Sequence, residues 1–325
     1  MREHEGVNYL AEHAKEIEAA AARIKPYIRR TPTLTTDLDE NLLLKPECFQ
    51  VTGSFKPRGA FNAVLQLKNT KGVIAVSSGN HAQALALAAR QAGLKALILI
   101  PEDANPAKVA ATRALGAEVR QEGITFANRE QKLKEAIEET GLTLVHPFDD
   151  WAIIHGQGTA AKELLEDHPD VTTVIAPTGG GGLLSGTALA AKAQSSDIKV
   201  YGVEPEVAAD ARDSLRTHSI QTLPRPPDTI ADGVRTTAIG KRTFEVIVER
   251  GLVDDIVTVS EAEIANALVT AWTRLKLAIE PTGALPLAAY LNDKVPKNGK
   301  TALILSGGNA NLALVSRLLN QAASR

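Results

Sequence analysis

The sequence is poor in cysteine, with Cys48 alone among 325 residues. An intramolecular disulfide and a cysteine zinc cluster are thereby excluded, and a reducing compartment suits the chain. Charge of one sign is lacking as well. With 36 Lys and Arg against 38 Asp and Glu the net charge is -2, and no Lys/Arg block occurs, so there is no electrostatic footprint for nucleic acid or an anionic membrane. No apolar run approaches the roughly 18 residues that a spanning helix needs. Residues 1–20 carry charges throughout and read as an amphipathic helix, so no signal peptide is expected. Repeats of fixed period and low-complexity segments are absent too. What the chain has in quantity is apolar residues, 44% of the total, enough core for two domains or one large α/β unit. A folded, cytoplasmic protein whose partner is a small molecule is expected.

Along the chain, short β-branched-rich runs at 72–77, 95–100, 117–122 and 142–147 are separated by helical patterns at 80–91, 106–115 and 129–139. A second series at 172–177, 199–204, 255–260 and 301–306 goes with helices at 182–193 and 260–275. Ahead of both, the first helix is expected to end near Ile28, before Thr31-Pro32 forces an extended exit, and 41–45 is a short strand candidate. Such alternation predicts an α/β fold of parallel strands with crossover helices, and ligands collect at the carboxyl ends of such strands. The proline-rich stretch 212–232, which includes Pro224-Arg225-Pro226-Pro227, breaks the alternation. It reads either as an ordered excursion near a site or interface or as a surface loop.

Several stretches carry chemistry. In Thr52-Gly53-Ser54-Phe55-Lys56-Pro57-Arg58-Gly59-Ala60, turn residues precede a helix start, and Gly59 with Ala60 lets another backbone or a ligand come close. Lys56 at the helix mouth loses hydration, which lowers its pKa and suits an amine for a Schiff base with an aldehyde. By itself such a lysine is more often a surface cation. Thr178-Gly179-Gly180-Gly181-Gly182-Leu183 joins an apolar strand to a helix and exposes backbone N–H groups at the helix start, a place for a phosphate. It matches neither G-x-G-x-x-G nor the Walker pattern, which disfavours a dinucleotide or nucleoside triphosphate. Ser77-Ser78-Gly79-Asn80-His81 has the same placement and would hold a carboxylate, with Asn80 reaching a ring hydroxyl; helix capping is the plainer use of Ser78 or Asn80. His81 reads as structural. Ser306-Gly307-Gly308-Asn309 ends the last strand and offers a hydroxyl to a heteroaromatic nitrogen, although a Gly-Gly turn is common there. Glu204, Ala208 and Asp210 offer three oxygen ligands to Mg²⁺ or Ca²⁺, while spacing alone favours simple solvation.

Taken together, these stretches resemble the pyridoxal-phosphate enzymes of the tryptophan synthase β-subunit fold, in particular the serine racemase and threonine dehydratase family. The likeness runs from Arg30-Thr31-Pro32 to Ser306-Gly307-Gly308-Asn309. It implies two open, mostly parallel sheets flanked by helices, with a large cofactor-binding domain from 1–67 and 150–325 and a small mobile domain from 68–149. It implies further that Lys56 is joined to pyridoxal 5'-phosphate and that Phe55 packs near the ring. Asn80 meets the ring hydroxyl, Ser306 meets the pyridine nitrogen, and Gly179, Gly180, Gly181, Gly182 and Leu183, with Gly233, bind the cofactor. A serine beside that nitrogen favours loss of a β-leaving group over a long-lived carbanion.

On the substrate side the resemblance places Ser77, Ser78, Asn80, His81, Arg129 and Thr236. Ser78 inherits the role of acid/base on the face opposite the lysine, and Arg129 suits a second carboxylate. The Glu204, Ala208, Asp210 spacing matches the family's divalent-cation loop, for Mg²⁺, Ca²⁺ or Mn²⁺, and reverses the preference for solvation. Glu280-Pro281-Thr282-Gly283-Ala284 also matches, with no role assigned to Glu280. Two departures stand out: a shorter segment between Thr36 and Asn41, and only nineteen residues after Ser306, so a regulatory domain is not expected. The implied function is a cytoplasmic, homodimeric dehydratase (ammonia-lyase) of serine, threonine or 3-hydroxyaspartate, with racemisation of serine beside it. The alternatives are a predominant racemase and a non-catalytic sensor of cofactor or amino acid; a nicotinamide dehydrogenase is disfavoured.

Overall fold

Runs of β-branched residues alternating with helical patterns give strands that lie parallel, each returning through a helix. The computed structural model describes residues 3–104 and 106–324. Its first part comprises α1 (Glu3–Ile24), β1 (Leu34–Thr35), β2 (Leu42–Pro46) and α2 (Lys56–Val64). Then follow β3 (Val73–Val76), α3 (Asn80–Gln91), β4 (Ala96–Leu99), α4 (Pro106–Ala114), β5 (Glu118–Arg120), α5 (Arg129–Thr140) and β6 (Thr143–Leu144). The remainder comprises α6 (Trp151–Asp167), β7 (Val171–Pro177), α7 (Gly182–Gln194), β8 (Lys199–Pro205), α8 (Asp210–Thr217), α9 (Lys241–Phe244), β9 (Asp255–Val259), α10 (Glu261–Thr270), α11 (Pro281–Leu291), β10 (Lys300–Leu305) and α12 (Leu312–Ala323).

Two sheets result, as expected. The order β5-β4-β3-β6 is parallel throughout, with Val73 between Ala96 and Thr143. The order β1-β2-β10-β7-β8-β9 is parallel apart from β1, where Leu34 faces Leu44 in antiparallel register. Strands β2 and β4 are buried along their whole length, and β7 and β10 all but so, which is why their apolar runs do not alternate. Every strand of the smaller sheet falls between residues 73 and 144, and every strand of the larger one outside them. No helix among the described residues is long and apolar enough to cross a membrane.

Some boundaries differ from the sequence reading. Helix α1 ends at Ile24, not near Ile28, because Pro26 disfavours helical backbone at Lys25; a turn from Ile24 to Ile28 follows. The helix expected over 260–275 is α10, which widens into a π-turn at Ala271–Leu275 and stops at Lys276 in the left-handed region (φ 57°). Helix α8 occupies the start of the 212–232 excursion, whose Pro226 and Asp232 reach a cavity that Lys56 also borders. Helix α6 escaped the periodicity because Gly156 and Gly158 weigh against a helix. Packing explains them. A Cβ on Gly156 would lie 2.4 Å from the Arg58 carbonyl oxygen, and one on Gly186 would lie 2.4 Å from that of Ile154. The close neighbour that Gly59 admits is therefore α6, whose Ile153 carbonyl and Gln157 side chain lie against it.

Beneath α2 lies a buried ionic cluster. Arg58 donates to both Glu47 oxygens (2.7 and 2.9 Å) and both Glu163 oxygens (2.8 and 2.8 Å), and the Lys45 amine donates to Glu163 at 2.8 Å. Two cations and two carboxylates balance, and Thr31 and Thr159 take part in the remaining bonds. Burial acts to raise the Glu163 pKa, but its bonds to Arg58 and the charge of Lys45 hold it below the usual carboxylate value. Removing one partner of such a cluster leaves an uncompensated buried charge. We expect Glu163→Ala to lower the unfolding free energy by about 3–5 kcal/mol, measured by urea denaturation; a loss below about 1 kcal/mol would show the cluster to be slack.

Candidate active site

Thr52 (φ 61°) and Gly53 (φ 73°) turn the chain through the left-handed region just ahead of α2. That turn is fastened to the exit of β10. Phe55 N donates to Ser306 O at 3.0 Å, Gly308 N to Gly53 O at 2.9 Å, and Ser54 bridges Gly307. Lys56, the first residue of α2, therefore stands beside Ser306. Its Nζ donates to the Pro147 carbonyl at 2.9 Å and lies 5.1 Å from the Phe55 ring centre. Burial pushes its pKa down to about 8, with the Glu280 carboxyl pulling the other way. The Ser306 hydroxyl is buried without a partner among the described residues.

The glycine turn follows β7. Gly181 has φ +90°, and a Cβ on it would lie 2.8 Å from Thr243. One on Gly180 would lie 2.3 Å from the Phe148 ring, and one on Gly179 3.2 Å from the Val234 backbone. Thr243 Oγ1 donates to the Gly180 carbonyl at 2.8 Å, so the turn's shape is held from outside. The 13-residue α7 opens directly behind it, with its free N–H groups at that end.

Ser77-Ser78-Gly79-Asn80-His81 leaves β3, but neither Ser78 nor Asn80 caps α3. Asn80 Nδ2 instead donates to Glu280 Oε1 at 2.8 Å, and Asn80 Oδ1 accepts from Asn309 Nδ2 at 2.8 Å. His81 Nε2 donates to Val145 O at 2.9 Å, and burial, with Lys56 nearby, lowers its pKa to about 3, so the ring is neutral. Arg129 opens α5 with its guanidinium 3.3 Å from the Phe126 ring centre and Nη1 buried without a partner among the described residues. Thr236 Oγ1 is likewise buried and partnerless, and Gly233 N donates to Thr282 Oγ1 at 2.9 Å.

Phe55, Lys56, Ser77, Ser78, Asn80, His81, Arg129, the 179–183 turn, Gly233, Thr236 and Ser306 all border one cavity of about 860 Å³. It lies at the carboxyl ends of β3, β7 and β10. Glu204, near the end of β8, and Ala208 and Asp210, just after that strand, stand apart from it. Glu204 accepts from Ala211 N (3.1 Å) and Arg212 N (2.9 Å), while Asp210 Oδ2 is buried without a partner among the described residues. Burial and the charge of Asp210 hold Glu204 well above the usual carboxylate range, and burial, with Asp213 adding, brings Asp210 up to about 7.

Other residues at or beside the cavity were not assigned from sequence. Asn309 reaches both Asn80 and the Thr52 carbonyl (2.7 Å). Glu280 is buried between Asn80 and Gly307, and Lys108 of α4 pairs with Asp232 at the cavity edge. The matching Glu280-Pro281-Thr282-Gly283-Ala284 stretch pointed to Glu280; nothing local in the sequence joins Lys108 to Asp232.

Comparisons with known proteins bear on the family. The L-threo-3-hydroxyaspartate ammonia-lyase of Saccharomyces cerevisiae is 44% identical over 310 residues, covering 93% of this chain and 94% of the yeast protein. The serine racemase of Dictyostelium discoideum is 42% identical over 318 residues, covering 94% and 97%. Among solved structures, that of the T.th. threonine deaminase superposes with a TM-score of 0.86 at 51% identity, covering 91% of this chain and 98% of that one. A family model described as pyridoxal-phosphate dependent enzyme matches residues 24–307, a span that opens ahead of Lys56 and closes just past Ser306, and the chain belongs to that family.

Proposed function

We propose that the chain is an ammonia-lyase (dehydratase) that converts a β-hydroxy amino acid, serine, threonine or 3-hydroxyaspartate, to a 2-keto acid and ammonia. The observation that carries this reading is the opening of the Lys56 amine, the bare Gly179–Gly182 backbone and the partnerless Ser306 hydroxyl onto one cavity. The names of the relatives support the substrate class. Residues here fit pyridoxal 5'-phosphate: Lys56 for the aldehyde, Gly179 to Leu183 for the phosphate, Phe55 and Gly233 beside the ring, Asn80 for its hydroxyl and Ser306 for its nitrogen. When bound, the cofactor supplies an electron sink for the substrate α-carbon.

The chain's own groups do the rest. Ser77, Ser78 and the first amides of α3 hold the substrate carboxylate, and His81, neutral and tied to Val145, keeps that loop in place. Lys56 Nζ takes the α-proton, and its lowered pKa leaves a useful neutral fraction near physiological pH. Ser78 Oγ is the second proton-handling group; return of the proton from it gives the other enantiomer, which makes racemisation the accompanying activity. Arg129 Nη1 fits a second carboxylate, and Thr236 a substrate oxygen. The unit around the smaller sheet is the part that moves, with the Lys108–Asp232 pair at the edge it shares with the larger unit. A cytoplasmic homodimer is the setting the family resemblance implies.

Glu204, Asp210 and the Ala208 carbonyl fit a divalent cation, because two adjacent buried carboxyls, one with an oxygen that has no partner among the described residues, are offset only by the charge of Arg212, which itself pairs with Asp213. No cluster of three or more His, Cys, Asp or Glu is gathered among the described residues, so water would complete the shell.

Three outcomes test this. Lys56→Ala is expected to lower turnover more than about a thousandfold in a keto-acid and ammonia assay and to abolish the visible absorbance of bound cofactor; retained turnover refutes the role of Lys56. Ser78→Ala should lose racemisation, followed by chiral chromatography, while elimination falls less than about tenfold; equal loss of both refutes a separate role for Ser78. For the cation, Asp210 has a folded-state pKa above its unfolded value, so its proton-linked stability is full below about pH 4 and is lost as pH rises through about 7. Mg²⁺ should therefore raise the melting temperature little at acidic pH and by a few degrees above neutrality, worth about 2.7 kcal/mol at a hundredfold excess over Kd. An equal rise at both pH values, or one that survives Asp210→Asn, refutes the site.

A further inference from the structure

Glu280 is the N-cap residue of α11, yet its side chain makes no bond to the α11 backbone. An acid at that position ordinarily accepts from the first turn of its own helix. Here the carboxyl is turned toward the cavity and is 3% exposed, with Oε1 accepting from Asn80 Nδ2 at 2.8 Å. The backbone underneath fixes it there. Glu280 N donates to Gly307 O at 3.0 Å, and a Cβ on Gly307 would lie 2.7 Å from Glu280 Oε1. Gly307 in turn bridges Ser54, two residues before Lys56.

The amide orientations along this chain are fixed by its far end. The Thr52 carbonyl can only accept, so Asn309 presents Nδ2 to it, and the second Nδ2 hydrogen goes to Asn80 Oδ1. Asn80 must then present Nδ2 to Glu280, and it keeps one N–H for the cavity. A carboxyl that only accepts from Asn80 agrees with this order at each step.

We propose that Glu280 is a positioning residue of this site: it orients the Asn80 carboxamide, and its carboxyl faces the cavity that the Lys56 amine also borders, where its charge acts on that amine. The inference rests on the reading of Lys56 as the amine that carries the cofactor. Burial brings the Glu280 pKa up to about 7, Asp232 adds to the rise, and the Asn80 bond, Lys108 and Lys56 oppose it. Lys56, at about 8, feels Glu280 in return. The other titratable groups around the two stay neutral: burial, with Lys56 adding, lowers the pKa of His81 to about 3, burial lowers that of His146, and burial raises that of the Cys48 thiol to about 11. Glu280 therefore gains its charge and Lys56 loses its own over neighbouring pH ranges, so the state of one bears on the other.

The test uses cofactor-free protein, in which acylation of Lys56 by acetic anhydride is followed against pH by mass spectrometry of its peptide. Glu280→Gln keeps an acceptor for Asn80 but removes the charge, and the Lys56 midpoint should fall by about one pH unit. Asp232→Asn, at a half-exposed position, lowers the Glu280 pKa, so the midpoint should move the opposite way. Unchanged midpoints, or shifts of one sign in both variants, overturn the electrostatic role. Should Glu280→Gln not fold, the sign of the Asp232→Asn shift decides alone. For the orienting role, pyridoxal 5'-phosphate binding followed by fluorescence should weaken about tenfold in Glu280→Ala and less than about threefold in Glu280→Gln; parent-like binding by Glu280→Ala overturns it. Borohydride reduction of the loaded parent tests the reading beneath: no adduct on Lys56 sinks that assignment, whether or not the midpoints move.

Discussion

Everything at the cavity depends on two turns, from opposite ends of the chain, being fastened to each other. The bonds from Phe55 N to Ser306 O and from Gly308 N to Gly53 O set the start of α2 against the exit of β10. Side-chain contacts alone would not suffice, since a lysine has four rotatable bonds and loses much of its freedom only where its backbone is fixed. Once the backbone is fixed, burial follows, and with it the lowered Lys56 pKa. The ionic cluster under α2 secures the other side. Arg58, two residues after Lys56, cannot leave its four carboxylate oxygens without exposing a bare charge to the interior. Thus α2 is held by backbone bonds at its mouth and by charge along its floor.

Glycine serves two purposes here, and the geometry separates them. At Gly156, Gly158 and Gly186 the missing Cβ lets helices α6 and α7 lie on each other and on α2 at backbone distance, which is a matter of packing. From Gly179 to Gly182 the missing side chains leave N–H groups bare at a helix start, which suits an anion. Gly181 alone of these four needs the left-handed region. The two sets are joined, because α7 begins in the turn and then carries Gly186 against α6. Packing of α6 on α7 therefore fixes where the bare amides point.

The strand and helix alternation was legible because buried parallel strands read as unbroken apolar runs and their helices as periodic ones. The site stretches were legible because they lie where strand gives way to helix, each marked by residues that do little for packing, such as Gly179–Gly182 or Ser77-Ser78. What stayed hidden depended on partners distant in sequence. Helices α6 and α11 carry glycine or proline, Gly156 and Gly158 in one and Pro281, Gly283 and Pro286 in the other, and only the neighbours they pack against make helices of them. Asn80 looked like a cap, and local propensity supports that reading. Its side chain goes instead to Glu280 and Asn309, two hundred residues and more away, where the buried Glu280 carboxyl needs a donor. The Lys108–Asp232 pair had no local trace at all.

Those long-range contacts also differ in strength, and the difference has a direction. Asn80 joins the smaller unit to Glu280 and Asn309 through part-buried bonds, and a break there leaves the buried Glu280 carboxyl without its partner. Lys108 joins the same unit to Asp232 where both groups are partly exposed, and there an ion pair contributes little because water replaces it. If the two units part, separation starts at the Lys108 edge and leaves the Asn80 contact in place. In such a parting Asn80 and Lys56 would stay in register, while Arg129 and Phe126, which reach the cavity from the start of α5 and the loop ahead of it, would travel with the smaller unit. The groups read as handling protons thus sit near the Asn80 contact, and the groups read as sorting substrates sit on the smaller unit.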